Sequence, residues 1–301
     1  MFVPVQANFR NLVAILSKVK HPVTENLLLG DRTHGGAKVE FASGVNGMLL
    51  DLGVSSHQID TSERGFAFMK DGPLDMRMAG NSNSQNTGIL TAADICNEFD
   101  EPTLIEILRT YGDEPRAKRI VSAIVASRPL YSTTDLVKAI ASVTPKFARQ
   151  KRAGLTATSA RVFQALRIVV NEEDGALKEV LEVVAPWALS RSGSHYSSQR
   201  AGCSDGAGSD GILAVLSYHS MEDKMAKRVI RDGKIDLSGK SSHGRGVGWM
   251  ERDLYGNVIT EVGLDSRVPF EPLAKPRKAT REEVDLNSRS RSATLRVALR
   301  I

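Results

Sequence analysis

Two short apolar runs, each followed at once by polar residues, constrain the fold of this 301-residue chain more than any other feature. Gly47-Met-Leu-Leu50 leads into Asp51, and Gly211-Ile-Leu-Ala-Val-Leu-Ser217 leads into Tyr218 and His219. Short apolar runs bounded by turn residues are typical of buried strands in a parallel sheet. We therefore expect an α/β fold with a crevice where these strands end.

The polar, glycine-containing segment 51–78 is predicted to form the floor of that crevice. Open α/β sheets bind ligands outside the carboxyl ends of their strands, and two neighbouring strands would end side by side. This arrangement would bring together the side chains of Asp51, Ser55, Gln58, Asp75 and His219.

Each of these side chains also has an ordinary structural role open to it. A histidine after a strand often caps a helix, and an aspartate there often forms a turn. Asp75 can form a salt bridge with Arg77, two residues further on. The sequence contains no nucleophile elbow, HExxH or Walker loop, so hydrolysis and phosphate transfer lack support.

Charge and cysteine content narrow the class of protein only slightly. The formal charge is +5. The two cysteines offer neither a disulfide framework nor a cysteine-rich metal site, and their use indicates a reducing compartment. Clustered cations suit nucleic-acid phosphates but are equally typical of solvated faces. The clusters are Lys146, Arg149, Lys151 and Arg152; Lys275, Arg277, Lys278 and Arg281; and Arg289, Arg291, Arg296 and Arg300.

Changes in hydrophobic pattern divide the chain into a core and an insert. Apolar residues at helical spacing predict a short helix around Phe9. Residues 91–158 read as a helical insert, which leaves a discontinuous core of 1–90 and 159–301. Residues 190–210 are mostly serine, glycine, arginine and other small polar residues, so we expect a disordered insertion there.

Local signals set several element boundaries. Ser132 is a predicted helix N-cap. Ser220 with Asp223 fits an S-x-x-D helix start, and Gly233 fits the stop of the same helix. The alternation in 293–300 predicts a final strand.

Long runs in a fixed order resemble one protein family. They are Asp51-Leu-Gly-Val-Ser-Ser-x-Gln-Ile-Asp60, Glu63-Arg-Gly-Phe-Ala-Phe68, Asp71-Gly-Pro-Leu-Asp-Met-Arg-Met78, Arg119-Ile-Val-Ser-Ala-Ile-Val125, Phe163-Gln-Ala-Leu-Arg-Ile-Val-Val-Asn171, Ser217-Tyr-His-Ser-Met-Glu-Asp223 and Arg291-Ser-Ala-Thr-Leu-Arg-Val-Ala298. The family is RsmH, formerly MraW, whose members use S-adenosyl-L-methionine to methylate cytosine N4 of small-subunit ribosomal RNA. The resemblance covers most of residues 5–301, apart from the polar insertions.

The resemblance implies a Rossmann-like class I methyltransferase core with an inserted helical RNA-recognition domain. S-adenosyl-L-methionine would be the cofactor, with Phe9 against its adenosyl part and Asp51 and Gln58 lining its pocket. Asp75 and His219 are the predicted catalytic residues. Asp75 would accept a hydrogen bond from the target amine as positive charge develops on it.

The implied partner is small-subunit ribosomal RNA or the assembling small ribosomal subunit, not a membrane, and a homodimer is left open. The target cytosine must leave its stack to be reached. Low-complexity segments at 21–44 and 190–210 favour a mitochondrial relative over a bacterial cytoplasmic enzyme. The predicted phosphate contacts are the tail arginines together with Lys146, Arg149, Lys151 and Arg152.

One departure from the family pattern leaves other readings open. The family's first strand, its GGGH-type loop and a following acidic residue lie upstream of the segment matching Phe9, and this chain starts at Met1. The Gly35-Gly36 pair follows no buried strand, so it is no substitute. We therefore expect a truncated or degenerate member with its N-terminal strands missing. It would be an enzyme or a catalytically inactive RNA- or ribosome-binding relative, and methylation of a non-RNA substrate is a third reading.

Overall fold

The computed structural model describes residues 45–79, 89–146, 154–190, 211–235 and 268–301. The predicted Phe9 helix, three of the predicted RNA contacts (Arg149, Lys151 and Arg152) and nearly all of 190–210 lie outside the described residues. The chain divides into two compact units. The described part of the sheet unit is 45–53, 174–190, 211–235 and 268–301. That of the helical unit is 54–79, 89–146 and 154–173.

The sheet unit is built on five described strands. They are β1 (Gly47–Asp51), β2 (Ile212–Ser217), β3 (Phe270–Pro272), β4 (Arg277–Lys278) and β5 (Thr294–Arg300). The order is β1-β2-β5-β3, and β4 also pairs with β5. β1 and β2 are parallel, whereas every pairing with β5 is antiparallel. The two buried strands and the final strand that were predicted from the sequence are thereby confirmed.

One face of this sheet is covered by helices. Leu50, Leu213 and Val215 point into a core shared with Val184 and Val229 from the helices. Fully burying side chains of this size stabilises a fold by about 1.5–3 kcal/mol each. Because strand side chains alternate between faces, Leu49 lies on the other side, where it is 69% exposed. The helices that contribute to this core are α7 (Glu173–Glu179), a π-helical turn (Val180–Val184), α8 (Ala185–Ala188) and α9 (Ser220–Asp232). The described part of this unit also contains α10 (Arg281–Leu286) and a 3₁₀ helix at Ser288–Ser292, neither of which has a buried residue.

The start of α9 differs by one residue from the predicted one. His219, not Ser220, is the N-cap, and Glu222 occupies the third helical position. Its carboxylate accepts from the backbone N–H groups of Tyr218 and His219, at 2.8 Å and 3.4 Å. The predicted stop at Gly233 is confirmed, since its φ of +76° is the left-handed conformation that glycine adopts without steric cost.

The helical unit has its own apolar core. Ile120, Val121 and Ile124 are buried in it and recur at the spacing of one helix face. Ser132 is confirmed as an N-cap and forms a capping box with Asp135. The described helices are α1 (Ser56–Asp60), α2 (Ala92–Glu98), α3 (Glu101–Thr110), α4 (Ala117–Ala126), α5 (Thr133–Val143) and α6 (Leu155–Asn171), with a 3₁₀ helix at Ser62–Arg64.

The units divide at 53/54 and 173/174, not at the predicted insert boundaries of 90/91 and 158/159. The reason is packing within the motif segment. Phe66, Leu74 and Met76 are buried in the same core as Val162 and Phe163 of α6. A segment that reads as polar and glycine-rich thus contributes large apolar side chains to the helical unit.

Candidate functional site

The carboxyl ends of β1 and β2 meet in the sheet unit, as predicted. Asp51 pairs in register with Leu216, and the hydroxyl of Tyr218 donates a 2.9 Å hydrogen bond to Asp51 Oδ1. Burial raises the pKa of Tyr218 to about 12, and the carboxylate of Asp51 contributes. The phenol therefore stays protonated and can only donate to Asp51 across the neutral pH range.

The Asp51 carboxylate keeps one oxygen open. Oδ1 accepts from Tyr218, while Oδ2 has no hydrogen-bond partner among the described residues, and the side chain is exposed. Gly53 follows with a φ of +92°, which turns the chain directly after the strand. An open carboxylate oxygen at a strand end is suited to accept hydrogen bonds from hydroxyl or amine groups of a ligand.

His219 lies beside this edge and is almost covered. Its side chain is 11% exposed, and its Nε2 lies 2.8 Å from Oε1 of Glu222, which is itself 3% exposed. This contact has ion-pair distance without the alignment of a hydrogen bond. The ring belongs to the capping box of α9, in which it lies against the backbone N–H of Glu222, although neither buried ring nitrogen makes an aligned hydrogen bond within the described part of the chain.

Two of the tail arginines predicted to bind phosphate have structural roles instead. Arg296 forms two hydrogen bonds with Asp223, at 2.8 Å and 2.9 Å, and so ties β5 to α9. Arg300 is 6% exposed and donates to the carbonyl oxygens of Pro186 and Pro269, each at 2.9 Å. Both guanidinium groups are used inside the sheet unit, so neither is available to RNA, and that prediction is wrong for these two residues.

Gln58 belongs to the helical unit, at the start of α1. Its Oε1 accepts from the backbone N–H of Ser55 at 2.9 Å, while the Ser55 hydroxyl accepts from the N–H of Gln58 at 3.3 Å. This capping box orients the carboxamide. The Nε2 group has no hydrogen-bond partner among the described residues and can donate to a ligand.

Asp75 forms the ion pair that was the structural alternative considered for it. Its Oδ1 accepts from Arg77 N and Nε at 3.0 Å and 2.8 Å, and its Oδ2 accepts from Nη2 at 2.7 Å. Burial raises the pKa of Asp75, but the hydrogen bonds and charge of Arg77, with the charge of Arg64, more than offset this and leave it below 3.8. Asp75 is therefore ionised at neutral pH.

Arg64 and Asn171 hold the motif segment in place, a role that the sequence reading missed. Arg64 Nη2 donates to the carbonyl oxygens of Arg77 and Met78, at 2.9 Å and 2.8 Å. Asn171 accepts from Met78 N–H at 2.7 Å and donates to Met76 O at 2.8 Å. The only sequence signal was that Arg64 and Asn171 lie within the family-like runs.

The helical unit carries an open groove between α4 and α5. Its lining includes two cations and two hydroxyls: Lys118, Arg119, Ser122 and Ser142. Neither cation forms an ion pair with a described residue. Lys146, the one predicted RNA contact that the structure describes, is exposed just beyond α5.

Within the described ranges, no cluster of three or more histidine, cysteine or acidic side chains could hold a metal ion. No helix within them is both long and apolar enough to cross a membrane.

The fold is that of a class I methyltransferase type of α/β protein. A model of the MraW methylase family matches residues 2–194 and 205–301. The chain belongs to this family, and the resemblance recognised from its motifs is confirmed.

Curated relatives agree with the family assignment. The ribosomal RNA small subunit methyltransferase H of Cytophaga hutchinsonii is 38% identical over 259 residues, covering 85% of this chain and 70% of the relative. The proteins of the same name from Chlorobium chlorochromatii and Heliobacterium mobile are 36% and 39% identical over 260 residues. Each match covers 85% of this chain, and 66% and 70% of the two relatives. The chain thus spans about two thirds of their length, and all three organisms are bacteria.

Proposed function

We propose that this chain transfers a methyl group from S-adenosyl-L-methionine to the N4 atom of a cytosine in small-subunit ribosomal RNA. The observation that carries the proposal is the Asp51 carboxylate at the end of β1, held on one oxygen by Tyr218 and open on the other. Membership of the MraW methylase family supports it, as does the printed name of the relatives.

The residues of the chain fit the proposed cofactor by their chemistry. Asp51 offers an open acceptor oxygen for hydroxyl or ammonium groups, and Gln58 offers a carboxamide donor whose orientation is set by Ser55. Phe9, proposed to contact the adenosyl part, lies outside the described residues. When bound, the cofactor supplies an electrophilic methyl group.

The protein must orient the cytosine amine and accept a hydrogen bond from one of its N–H groups. The lone pair of the cytosine amino nitrogen is delocalised into the ring, so it is a weak nucleophile. Positioning alone contributes on the order of 7–11 kcal/mol in favourable systems. Asp75 and His219 are the proposed acceptors. Asp75 is ionised, but both oxygens already accept from Arg77, whereas the ring nitrogens of His219 make no aligned hydrogen bond with a described residue.

The helical unit is proposed to bind the RNA. The Lys118 and Arg119 side chains line a groove that also presents serine hydroxyls, and Lys146 lies exposed beyond α5. Cations and hydroxyls of this kind bind phosphate oxygens without regard to base sequence. Arg149, Lys151 and Arg152, which lie outside the described residues, are proposed to bind phosphate as well.

The partner is proposed to be the small ribosomal subunit or its RNA, with a homodimer left open. For location, the mitochondrion is proposed because of the low-complexity segments. The bacterial origin of the reported relatives keeps the bacterial cytoplasm as the alternative.

Calorimetric titration of the chain with S-adenosyl-L-methionine tests the proposal first. We expect micromolar binding that weakens at least about tenfold in Asp51→Ala, equal to about 1.4 kcal/mol. The exposed Asp285→Ala, in α10, is the matched control and should bind as the unchanged chain does.

Methyl transfer to ribosomal RNA and to protein should then be measured side by side. Transfer to RNA alone is expected, and it should fall in both Asp75→Asn and Asp51→Ala. Salt-sensitive RNA binding without cofactor binding would contradict the proposal and favour the inactive RNA-binding alternative. Transfer to protein would favour the non-RNA substrate.

A further inference from the structure

One cluster of cations in the sheet unit has no partner among the described residues. All four of its side chains are exposed, and none forms an ion pair within the part of the chain that the structure describes. Arg296 and Arg300, further along the same tail, are in contrast held by Asp223 and by backbone carbonyl oxygens. The cluster consists of Lys275, Arg277, Lys278 and Arg281.

The acids that follow this cluster along the chain do not neutralise it. Glu283 is turned back into the capping box of α10, where its Oε2 accepts from the backbone N–H of Thr280 at 2.7 Å. Glu282 and Asp285 are exposed on α10, and neither forms an ion pair with a described residue. The cluster is therefore open to an anionic ligand.

The register of the sheet places Arg277 in one row with Asp51. Asp51 pairs with Leu216, Leu216 pairs with Leu295, and Leu295 pairs with Arg277. Neighbouring strands lie about 4.8 Å apart, so the Cα atoms at the two ends of this row are about 14 Å apart. Arg277 thus lies at the end of the sheet that carries the candidate site.

Arg277 also shares a face of the sheet with Asp51. Side chains alternate between the two faces along a strand, and residues paired across strands point to the same face. Asp51 is two residues beyond Leu49, so this row lies on the face opposite the helix-covered core. Lys278, the next residue of β4, is directed to the other face.

The two ends of the row have complementary chemistry. A guanidinium group can bind a phosphate through two parallel hydrogen bonds, and the Asp51 carboxylate can accept from N–H or O–H groups. Contacts to phosphate fix how a nucleic acid strand lies on a protein without reading its sequence. A single RNA strand provides phosphates along its length and an amine on each cytosine, so it matches both ends.

We propose that Arg277 binds a backbone phosphate of the RNA strand that carries the target cytosine, and that it thereby orients this strand towards the Asp51 end of the sheet. The inference rests on the proposed function, because it names a contact with the same substrate. It assigns an RNA contact to the sheet unit, whereas the contacts proposed above belong to the helical unit.

Two single substitutions in β4 test this placement. Arg277→Ala and Lys278→Ala remove the same charge from adjacent residues that point to opposite faces, so Lys278→Ala is the matched control. Binding is measured by fluorescence anisotropy, without cofactor, on a labelled single-stranded oligouridine that contains one cytosine. Arg277→Ala should raise the Kd about tenfold, because a charge-assisted contact is lost. It should also reduce the slope of log K against log salt by about 0.7.

Lys278→Ala should change the Kd less than about threefold, with the slope preserved. Equal losses in the two variants would indicate diffuse attraction rather than a placed contact and would overturn the inference. Unchanged binding in Arg277→Ala, or no binding by the unchanged chain, would overturn it as well. Thermal unfolding should be the same for all three proteins, because both side chains are exposed and form no ion pair with a described residue.

Kinetics separate a substrate contact from a catalytic one. With unmodified small-subunit ribosomal RNA, Arg277→Ala should raise the KM for RNA about tenfold while leaving kcat and the Kd of S-adenosyl-L-methionine unchanged. A lower kcat with an unchanged KM would contradict the inference. If Arg277→Ala loses RNA binding as expected but no chain transfers a methyl group, the phosphate contact stands and the proposed function fails, so the two failures are distinguishable.

Discussion

Glu114→Gln should destabilise the helical unit more than any change to an exposed acid. The Glu114 side chain has no exposed surface and lies between Arg116 and Arg161. Arg161 donates to Oε2 through Nε, at 2.9 Å, and through Nη2. Arg116 donates to Oε1 from its backbone N–H and from Nε, at 3.0 Å and 3.2 Å. The carboxylate thus joins the start of α4 to α6.

The magnitude follows from what glutamine can and cannot replace. The glutamine side-chain oxygen can still accept from Arg116, but its NH₂ group then faces the N–H groups of Arg161, so that two hydrogen-bond donors oppose each other. Removing one partner of a buried ion pair costs about 3–5 kcal/mol. The arginine side chains are 18% and 28% exposed, so water partly solvates them and the lower end applies, about 3 kcal/mol.

Urea unfolding followed by far-ultraviolet circular dichroism at pH 7 measures this loss. With a slope of about 2 kcal/mol per molar urea, the midpoint should fall by about 1.5 M. Glu98→Gln, at the exposed end of α2, is the control and should change stability by less than about 0.5 kcal/mol. A midpoint for Glu114→Gln no lower than that of the control would refute the argument.

The pH dependence of stability supplies a second check. Burial raises the pKa of Glu114, but its hydrogen bonds and charge interactions with Arg161 and Arg116 more than offset this and bring it below 4.5. Because the folded pKa is lowered, the stabilisation is present above the unfolded-state value. It is lost as pH falls through the folded value. The difference in stability between the Glu114→Gln variant and the unchanged protein should therefore narrow as the pH falls below 4.5 and through the lowered pKa of Glu114.

Two further predictions concern the motif segment and the buried thiol. Gly65→Ala should cost at least about 3 kcal/mol, because a β-carbon would lie 2.2 Å from the Pro73 carbonyl oxygen at a φ of +72°. Gly53→Ala, at φ +92° with its nearest contact at 3.9 Å, should cost only about 1–2 kcal/mol. Thermal unfolding of the two variants measures both losses of stability. Burial raises the pKa of Cys96 to about 12, so in a Cys203→Ser background it should not react with a thiol reagent at pH 8 until urea unfolds the chain. Rapid labelling without urea would contradict that burial.

Elements with strong local signals were predictable. The apolar runs ending at Leu50 and Ser217 are strands, and the Ser132 cap and the Gly233 stop are where they were expected. The predicted start of α9 was wrong by one residue, because the S-x-x-D pattern of Ser220 and Asp223 competes for the same turn with the buried Glu222, one position earlier. Tertiary burial of Glu222 decided between them.

The charge clusters in the sequence did not indicate which of their cations pair with acids in the folded protein. Arg291 and Arg296 are five residues apart in one basic run, yet Arg291 is exposed while Arg296 pairs with Asp223. Asp75 likewise met its nearest local partner, Arg77, rather than standing open. Sequence spacing shows which cations are close along the chain, but not which acids lie across from them once the sheet has formed.

The sequence by itself determined the family, the strand ends that bear Asp51 and His219, and two helix boundaries, at Ser132 and Gly233. These depend on the order of motifs and on residues within a few positions of one another. Only the tertiary structure decided which side chains meet. The Tyr218 hydroxyl reaches Asp51 across 167 residues because β1 and β2 are parallel and in register. The motif segment joins the helical unit because Phe66, Leu74 and Met76 find their apolar partners there and nowhere nearer in the sequence.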